Sequence, residues 1–355
     1  MRWTSGVRTA LLGAVLIIAG CRDIPPCTPE PEEKTNGPTL DAGPPLFSTE
    51  PIPTMKPYNH ASCIAQMPSG DLLTVWVAGS KEAAADTAIV ASRRTAGSSW
   101  SKPIVVADTM NAGDANPVLF VDDRGTAWLF YVSLIGEGNL CLGQVLVQTS
   151  NDDGQTWSAP RPALDGLCTL IKNKPIILRG GRWVLPAYQQ AIYQSQFWIS
   201  DDAGQTWLSA APLSTTPDAN LQPAVAQIAD GSLYALMRGT GGFTWMGRSF
   251  DCGRSFAMQR RDDLPNPNSG IDMTRLADGR LLLAFNPSAT DRTPLAVSFL
   301  FDDGIHWSNP KTIEDGQGEL SYPSIIQTAD GIIHITYSHR LIQHAEFNPA
   351  WLDEP

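Results

Sequence analysis

Ser150-Asn151-Asp152-Asp153-Gly154-Gln155-Thr156-Trp157 returns fifty residues later as Ser200-Asp201-Asp202-Ala203-Gly204-Gln205-Thr206-Trp207. The shared pattern is S-x-D-x-G-x-T-W. A third copy, Ser249-Phe250-Asp251-Cys252-Gly253-Arg254-Ser255-Phe256, carries Phe in place of Trp. A fourth, Leu300-Phe301-Asp302-Asp303-Gly304-Ile305-His306-Trp307, loses the Ser, and a worn fifth ends at Gly97 and Trp100. The aromatic positions 100, 157, 207, 256 and 307 lie 57, 50, 49 and 51 residues apart. Spacing that regular marks a repeat architecture. Within the octapeptide, Asp and Ser can bond loop amides, Gly supplies a backbone angle other residues resist, and the aromatic can pack on the sheet. Asp152, Asp202, Asp251 and Asp302 are therefore read as structural acids and not as catalysts.

A second periodicity runs beside the first. Turns at Ser69-Gly70, Arg124-Gly125, Gly180-Gly181, Asp230-Gly231, Asp278-Gly279 and Asp330-Gly331 each precede a strand-like run, such as Leu72-Leu73-Thr74-Val75-Trp76-Val77. No segment shows a convincing helical period, so each unit of about fifty residues reads as several short strands. One such unit cannot bury both faces of its own sheet, and the units must pack on one another. Radial packing protects the sheet edges, and six turns predict an all-β, six-bladed β-propeller over residues 46–350. Residues 46–60 and the last stretch to about 347 are expected to share the closing blade.

Outside the repeats the chain reads differently. Arg2 and Arg8, an apolar run Ala10–Gly20 and then Cys21 form a targeting signal over residues 1–20. About eleven apolar residues are too few to cross a bilayer, which takes about twenty. Ile18-Ala19-Gly20-Cys21 resembles a bacterial lipobox, which implies lipidation at Cys21 and an envelope location; Arg22, where an Asp would retain the protein, resembles an outer-membrane address. An ordinary secretory signal with an incidental Cys is the alternative. Residues 21–45 are rich in Pro, Gly and charge and read as a tether. Loss of residues 1–20 moves the net charge from −11 to −13, which argues against nucleic acid as a partner. Five Cys remain beyond Cys21, an odd number; Cys141 and Cys168 flank one repeat and could bridge, although spacing alone fixes no pairing, and Cys27 is a candidate for the one left over.

The four boxes at this spacing resemble the Asp boxes, or BNR repeats, of the sialidase (neuraminidase) superfamily, over about residues 55–345. Gly181-Arg182-Trp183-Val184-Leu185-Pro186-Ala187-Tyr188 is similar to the segment that ends in Pro-Ala-Tyr in that family. The resemblance implies an exo-glycosidase that removes a terminal acidic sugar, using arginines for the carboxylate, an Asp as acid and a Tyr assisted by a Glu. Carried over position by position, it assigns Arg238 and Arg292 to the carboxylate, which guanidinium suits because it offers parallel donors. Tyr322 takes the place of the nucleophile. A neutral phenol tolerates an anomeric centre that already bears a carboxylate. Asp86 takes the place of the acid, with a raised pKa expected.

Two positions depart from the family. Its first arginine is replaced by Asn59-His60-Ala61-Ser62, and its assisting Glu by Gln222, eight residues before Asp230. Gln can hold Tyr322 but cannot take its proton. His60, Lys174 or Glu319 are the groups that could compensate, and Asn268 offers a hydroxyl-binding amide. These departures keep open a lyase or hydrolase for uronic-acid polysaccharide, with Tyr322 or His60 as base, and a glycan-binding propeller without turnover. No zinc-type spacing, phosphate loop or nucleophile elbow occurs, so no cofactor or metal is expected. The expected form is a monomer.

Overall fold

The computed structural model describes residues 43–135, 139–301 and 304–354. The signal, Cys21, most of the tether and the acid of the fourth box, Asp302, lie outside them.

Six antiparallel sheets form, in chain order, around a common axis. Every blade opens with the same hairpin. In the first, Met67 N–H bonds Asp71 O at 2.8 Å and Gly70 N–H bonds Met67 O at 2.8 Å. The identical pair recurs at Asp122–Thr126, Leu178–Arg182, Ile228–Ser232, Leu276–Arg280 and Thr328–Ile332. Each turn places its Gly at a positive φ between 81° and 92°, the left-handed position of a three-residue hairpin. That requirement is what the periodic glycines of the sequence record.

The octapeptide boxes close the outer side of the blades. In the first, Ser150 Oγ donates to Asp152 Oδ1 at 2.7 Å and accepts from Gly154 N–H at 2.9 Å, while Thr156 donates to both Asp152 oxygens at 2.9 and 2.5 Å. The Asp202 and Asp251 boxes repeat these bonds almost to the tenth of an ångström. The threonine hydroxyl and amide, with Ser150, pull the Asp152 carboxyl down to about 2. In these three boxes the glycine lies against the preceding blade: a Cβ on Gly154 would sit 2.8 Å from Leu73, one on Gly204 3.3 Å from Trp128, and one on Gly253 3.3 Å from Val184. Trp207 packs with Trp183, Trp128 and Phe130 in the same interblade cluster. The boxes thus join neighbouring blades, and both oxygens of each acid are committed to its own loop.

Closure is by strand exchange between the termini. Phe47–Ile52 pairs with Leu341–Phe347, from Phe47 opposite Phe347 to Ile52 opposite Ile342. This closing strand is shorter than the 46–60 expected, because Tyr58–Gln66 is already the innermost strand of the first blade. A short helix, Pro349–Asp353, capped by Asn348, follows. Cys141 and Cys168 form a disulfide, Cys252 is also disulfide-bonded, and Cys63 is free and buried.

Candidate functional site

The innermost strands carry the feature that makes a site. In four blades the ladder breaks at the same place: after His60, Ala115, Leu221 and Ser321. The residue in each break, Ala61, Asn116, Gln222 and Tyr322, has a φ between +45° and +55°. Bulges of this kind re-aim a side chain out of the pleat. Pro follows three of the four, and the residue before Pro is kept out of the right-handed helical region. In the remaining blades the equivalent residues are Lys172, between Thr169–Ile171 and Ile176–Ile177, and Gly270, just ahead of Asp272–Arg275. All six stand eight residues before the first residue of a hairpin turn, and they gather about the axis.

Tyr322 is the centre of this ring. Its hydroxyl accepts from Gln222 Nε2 at 3.1 Å and from Arg238 NH1 at 3.2 Å. Arg238 NH1 also donates to Gln222 Oε1 at 3.0 Å, and its Nε to Asn268 Oδ1 at 2.7 Å. Because a guanidinium only donates, it must meet Oε1, which turns the Gln222 amide nitrogen toward Tyr322 and, at 3.4 Å, toward Tyr188. Asn116 donates to the same Tyr188 hydroxyl at 3.2 Å. His60 packs on Tyr322 with ring centroids 4.3 Å apart. Gly270 lets these groups close up, since a Cβ there would lie 3.2 Å from Gln222 Oε1, 3.4 Å from Lys172 Cε and 3.5 Å from Tyr322 Cγ.

Around Tyr322 opens a cleft of about 430 Å³ lined by Tyr58, His60, Glu82, Arg238, Arg292, Glu319 and Arg340, among others. Arg292 donates to Asn268 O at 2.7 Å and forms an ion pair with Glu319. A smaller recess continues inward past Glu82 to Asp114, Asn116 and Tyr188. Burial pushes the His60 imidazole down to about 4, helped by Arg292, Lys172 and Arg238, so it is neutral at pH 7. Burial lowers Lys172 to about 8, although its ammonium bonds the carbonyls of Ile271 at 3.0 Å and Pro323 at 2.5 Å. Burial raises the Asp114 carboxyl to about 6.

Of the residues read from the sequence, Tyr322, Gln222, His60, Arg238, Arg292, Glu319 and Asn268 converge here. Two do not. Asp86 lies on an exposed loop, where Ser80 donates to it from Oγ at 2.7 Å and from its amide at 3.1 Å, and Lys56 approaches at 3.6 Å. The Ser80 bonds pull its pKa down, the reverse of what a proton donor needs. Lys174 points the other way along the axis, bonding Asp272 and Ser324 at 2.8 Å each, beside a separate cavity of about 360 Å³. Burial alone would lower its pKa, but the Asp272 carboxylate leaves it raised. Lys172, Gly270, Glu82, Tyr58 and Arg340 were missed, and the eight-residue count from each turn finds the first two.

Among the described residues one group could offer three metal ligands: His334, His344 and Glu346, with ligand atoms within 4.8 Å of one another. Arg94 donates to both oxygens of Glu346, at 2.8 and 3.3 Å, and the two imidazoles share a hydrogen bond of 3.0 Å. The cluster reads as a satisfied ion-pair network that ties the closing blade to the first.

A propeller of six blades, five of them four-stranded and the third with its inner strand broken in two, with an arginine-lined, tyrosine-centred cleft on its axis, defines the sialidase-like class of β-propellers. The chain belongs to the BNR repeat-like domain family, which it matches over residues 70–335. In solved structures it is similar to a protein of unknown function from Dyadobacter fermentans, at 16% identity, covering 85% of this chain and 99% of that one, with a TM-score of 0.73. It is also similar to the Hadza microbial sialidase Hz136, at 19% identity and TM-score 0.71, covering 81% of this chain and 65% of that one, just under two thirds of its length. The intramolecular trans-sialidase from Ruminococcus gnavus matches at 14% identity and TM-score 0.71, covering 84% and 96%. Likeness at these identities establishes the fold. A search of curated protein sequences gives no match to the chain.

Proposed function

We propose that the protein is a glycosidase of the sialidase type, acting on a glycan end that carries a carboxylate, with sialic acid or a related sugar acid as the substrate class. The observation that carries this reading is the contact of Arg238 with both Tyr322 and Gln222 inside a cleft that Arg292 also lines. The two guanidiniums hold the carboxylate, which seats the anomeric carbon over the Tyr322 oxygen. Tyr322 attacks, or stabilises the positive charge that develops there. Glu82, on the same loop as Asp86 but lining the cleft, protonates the leaving oxygen.

A second reading has its own support. Among the described residues no carboxylate bonds the Tyr322 hydroxyl, and a neutral His60 lies against the ring. Elimination from a uronic-acid polysaccharide needs this combination: cations to neutralise the carboxylate and a neutral base to take the adjacent carbon's proton.

The protein is proposed to work at the cell envelope as a lipid-anchored monomer. Leu46 sits beside Gly70, Thr328 and Asp330, at the turn end of the blades, whereas Tyr58 and Tyr322 line the opposite end. The cleft and the entry of the chain into the propeller therefore lie at opposite ends of the blades. The deciding experiment incubates the protein with a fluorogenic sialoside and a panel of uronic-acid polysaccharides. Sialoside release abolished by Tyr322→Phe supports the glycosidase. Ultraviolet-absorbing unsaturated ends support elimination, and binding without product refutes both enzymes in favour of a glycan-binding propeller.

A further inference from the structure

Three successive blades deliver an arginine to the cleft at or next to the connection between the second and third strands. Arg238 is the penultimate residue of the second strand, Leu233–Gly239, of the fourth blade, Arg292 lies in the loop 286–294 of the fifth, and Arg340 is the single residue between Ile333–His339 and Leu341–Phe347 of the sixth. Their states differ. Arg238 is bonded to Asn268, Gln222 and Tyr322, and Arg292 to Asn268 and Glu319. Arg340 is exposed and, among the described residues, has no hydrogen bond or ion pair, while it lines the cleft beside Tyr58, Asn59 and His60. Its φ of +55° is uncommon for a residue other than Gly, and such conformations gather at binding sites, where the surrounding structure enforces them.

The energetic consequence follows from these bonds. An incoming carboxylate must share Arg238 with three partners and must displace Glu319 from Arg292, whereas at Arg340 it meets a complete set of donors with nothing to break. On that side of the mouth the first blade contributes Tyr58, Asn59 and His60, none of them cationic at pH 7.

We infer that Arg340 joins Arg238 and Arg292 in holding the acidic group of the substrate and, as the one of the three with no partner among the described residues to give up, sets the preference for a charged over a neutral sugar. This rests on the acidic-sugar reading above. It places recognition of the anion on the fourth, fifth and sixth blades, and leaves the first blade to supply Glu82 from its own second-to-third-strand connection.

The test is calorimetric binding of the methyl glycosides of sialic acid and of glucuronic acid, each beside its carboxyl methyl ester. The proteins are wild type, Arg340→Gln and Arg340→Lys, each checked for an unchanged melting midpoint. Loss of one charge-assisted bond predicts acid binding about 10- to 100-fold weaker in Arg340→Gln, unchanged ester binding, and partial recovery in Arg340→Lys. Wild-type-like acid binding by Arg340→Gln, with the acid still preferred to the ester, overturns this inference and leaves the proposed function standing. A wild-type protein that does not distinguish either acid from its ester overturns the acidic-sugar reading, and this inference with it. A melting midpoint lowered in Arg340→Gln but not in Arg340→Lys transfers the comparison to the Lys variant, where a full wild-type affinity together with equal salt dependence counts against capture by the guanidinium fork.

Discussion

Lys172 offers a measurement of the site that needs no substrate. Its ammonium is buried beneath Tyr322, and burial holds its pKa at about 8 against an ordinary 10.5. In the folded state the proton leaves near pH 8, whereas the unfolded chain keeps it until about 10.5. Between those values the unfolded state binds about one more proton, so stability rises with pH across that window and is flat, from this group, on either side. The gap is worth about 3 kcal/mol, at about 1.4 kcal/mol for each pH unit. Lys172→Met keeps the volume and removes the charge. It also orphans two carbonyls, those of Ile271 and Pro323, at a cost of about 1–3 kcal/mol each. At pH 7.5 relief of the buried charge and loss of these bonds largely offset each other, leaving the variant within about 2 kcal/mol of wild type. The informative quantity is the difference between the two proteins as pH rises. Urea unfolding at several values from pH 7.5 to 10.5 should show wild type gaining about 3 kcal/mol on Lys172→Met. Curves that run parallel would mean that Lys172 is not a desolvated cation, and the axial arrangement of the six equivalent residues would need revision.

Glu319→Gln removes the internal carboxylate from Arg292, and we expect acidic glycosides to bind severalfold more tightly, with neutral esters unaffected, by calorimetry. Asp202→Ala empties one box of its bonds to Thr206, Gln205 and Ser200, at a cost similar to that of losing a helix cap, about 1–2 kcal/mol in urea. Burial tends to raise the Asp202 pKa, but the Thr206 and Ser200 bonds hold it below normal. Its contribution is therefore present above the ordinary Asp range and fades as pH falls through the folded value, so variant and wild type should converge in acid. The double variant Cys141→Ser, Cys168→Ser opens a loop of sequence separation 27 and should lose about 3–4 kcal/mol in urea unfolding.

The scaffold was legible because its signals are local and repeated. A hairpin that needs a left-handed Gly recurs six times, and a box whose Ser and Asp bond one another and the following Thr or Ser recurs three times, and each declares itself within eight residues. The site was legible only where it inherits that period. Gln222 and Tyr322 stand at a fixed distance before a turn, and the same count reaches Lys172 and Gly270. Lys174 misled because it sits two residues beyond Lys172 at the point where the ladder breaks. The break sends the first ammonium toward Tyr322 and the second toward Asp272. Asp86 misled for a different reason. The loop 80–87 holds two acids, Glu82 and Asp86, and their directions depend on Ser80 capturing one of them, a local bond with no signature in spacing. Arg340 had no chance of discovery by period, since it occupies a one-residue connection whose counterparts in other blades are longer.

The exchange of an acid for Gln222 changes what Tyr322 can do. With a carboxylate beside it, a phenol has an acceptor for its proton and becomes a nucleophile as that proton departs. Here Arg238 fixes the amide so that nitrogen faces the phenol, and the oxygen of Tyr322 receives two donors, one of them charged. Two donors on one oxygen leave the hydroxyl hydrogen directed away from both, toward the open cleft. The proton must then go to a group on that side: the substrate, a water, or Glu82 across the mouth. A tyrosine so placed is suited to exchange a proton with the bound sugar. On the proposed function Arg238 would both bind the anion and orient Tyr322, so Arg238→Lys, which keeps the charge but cannot reach Asn268, Gln222 and Tyr322 together, should lower turnover more than it weakens binding.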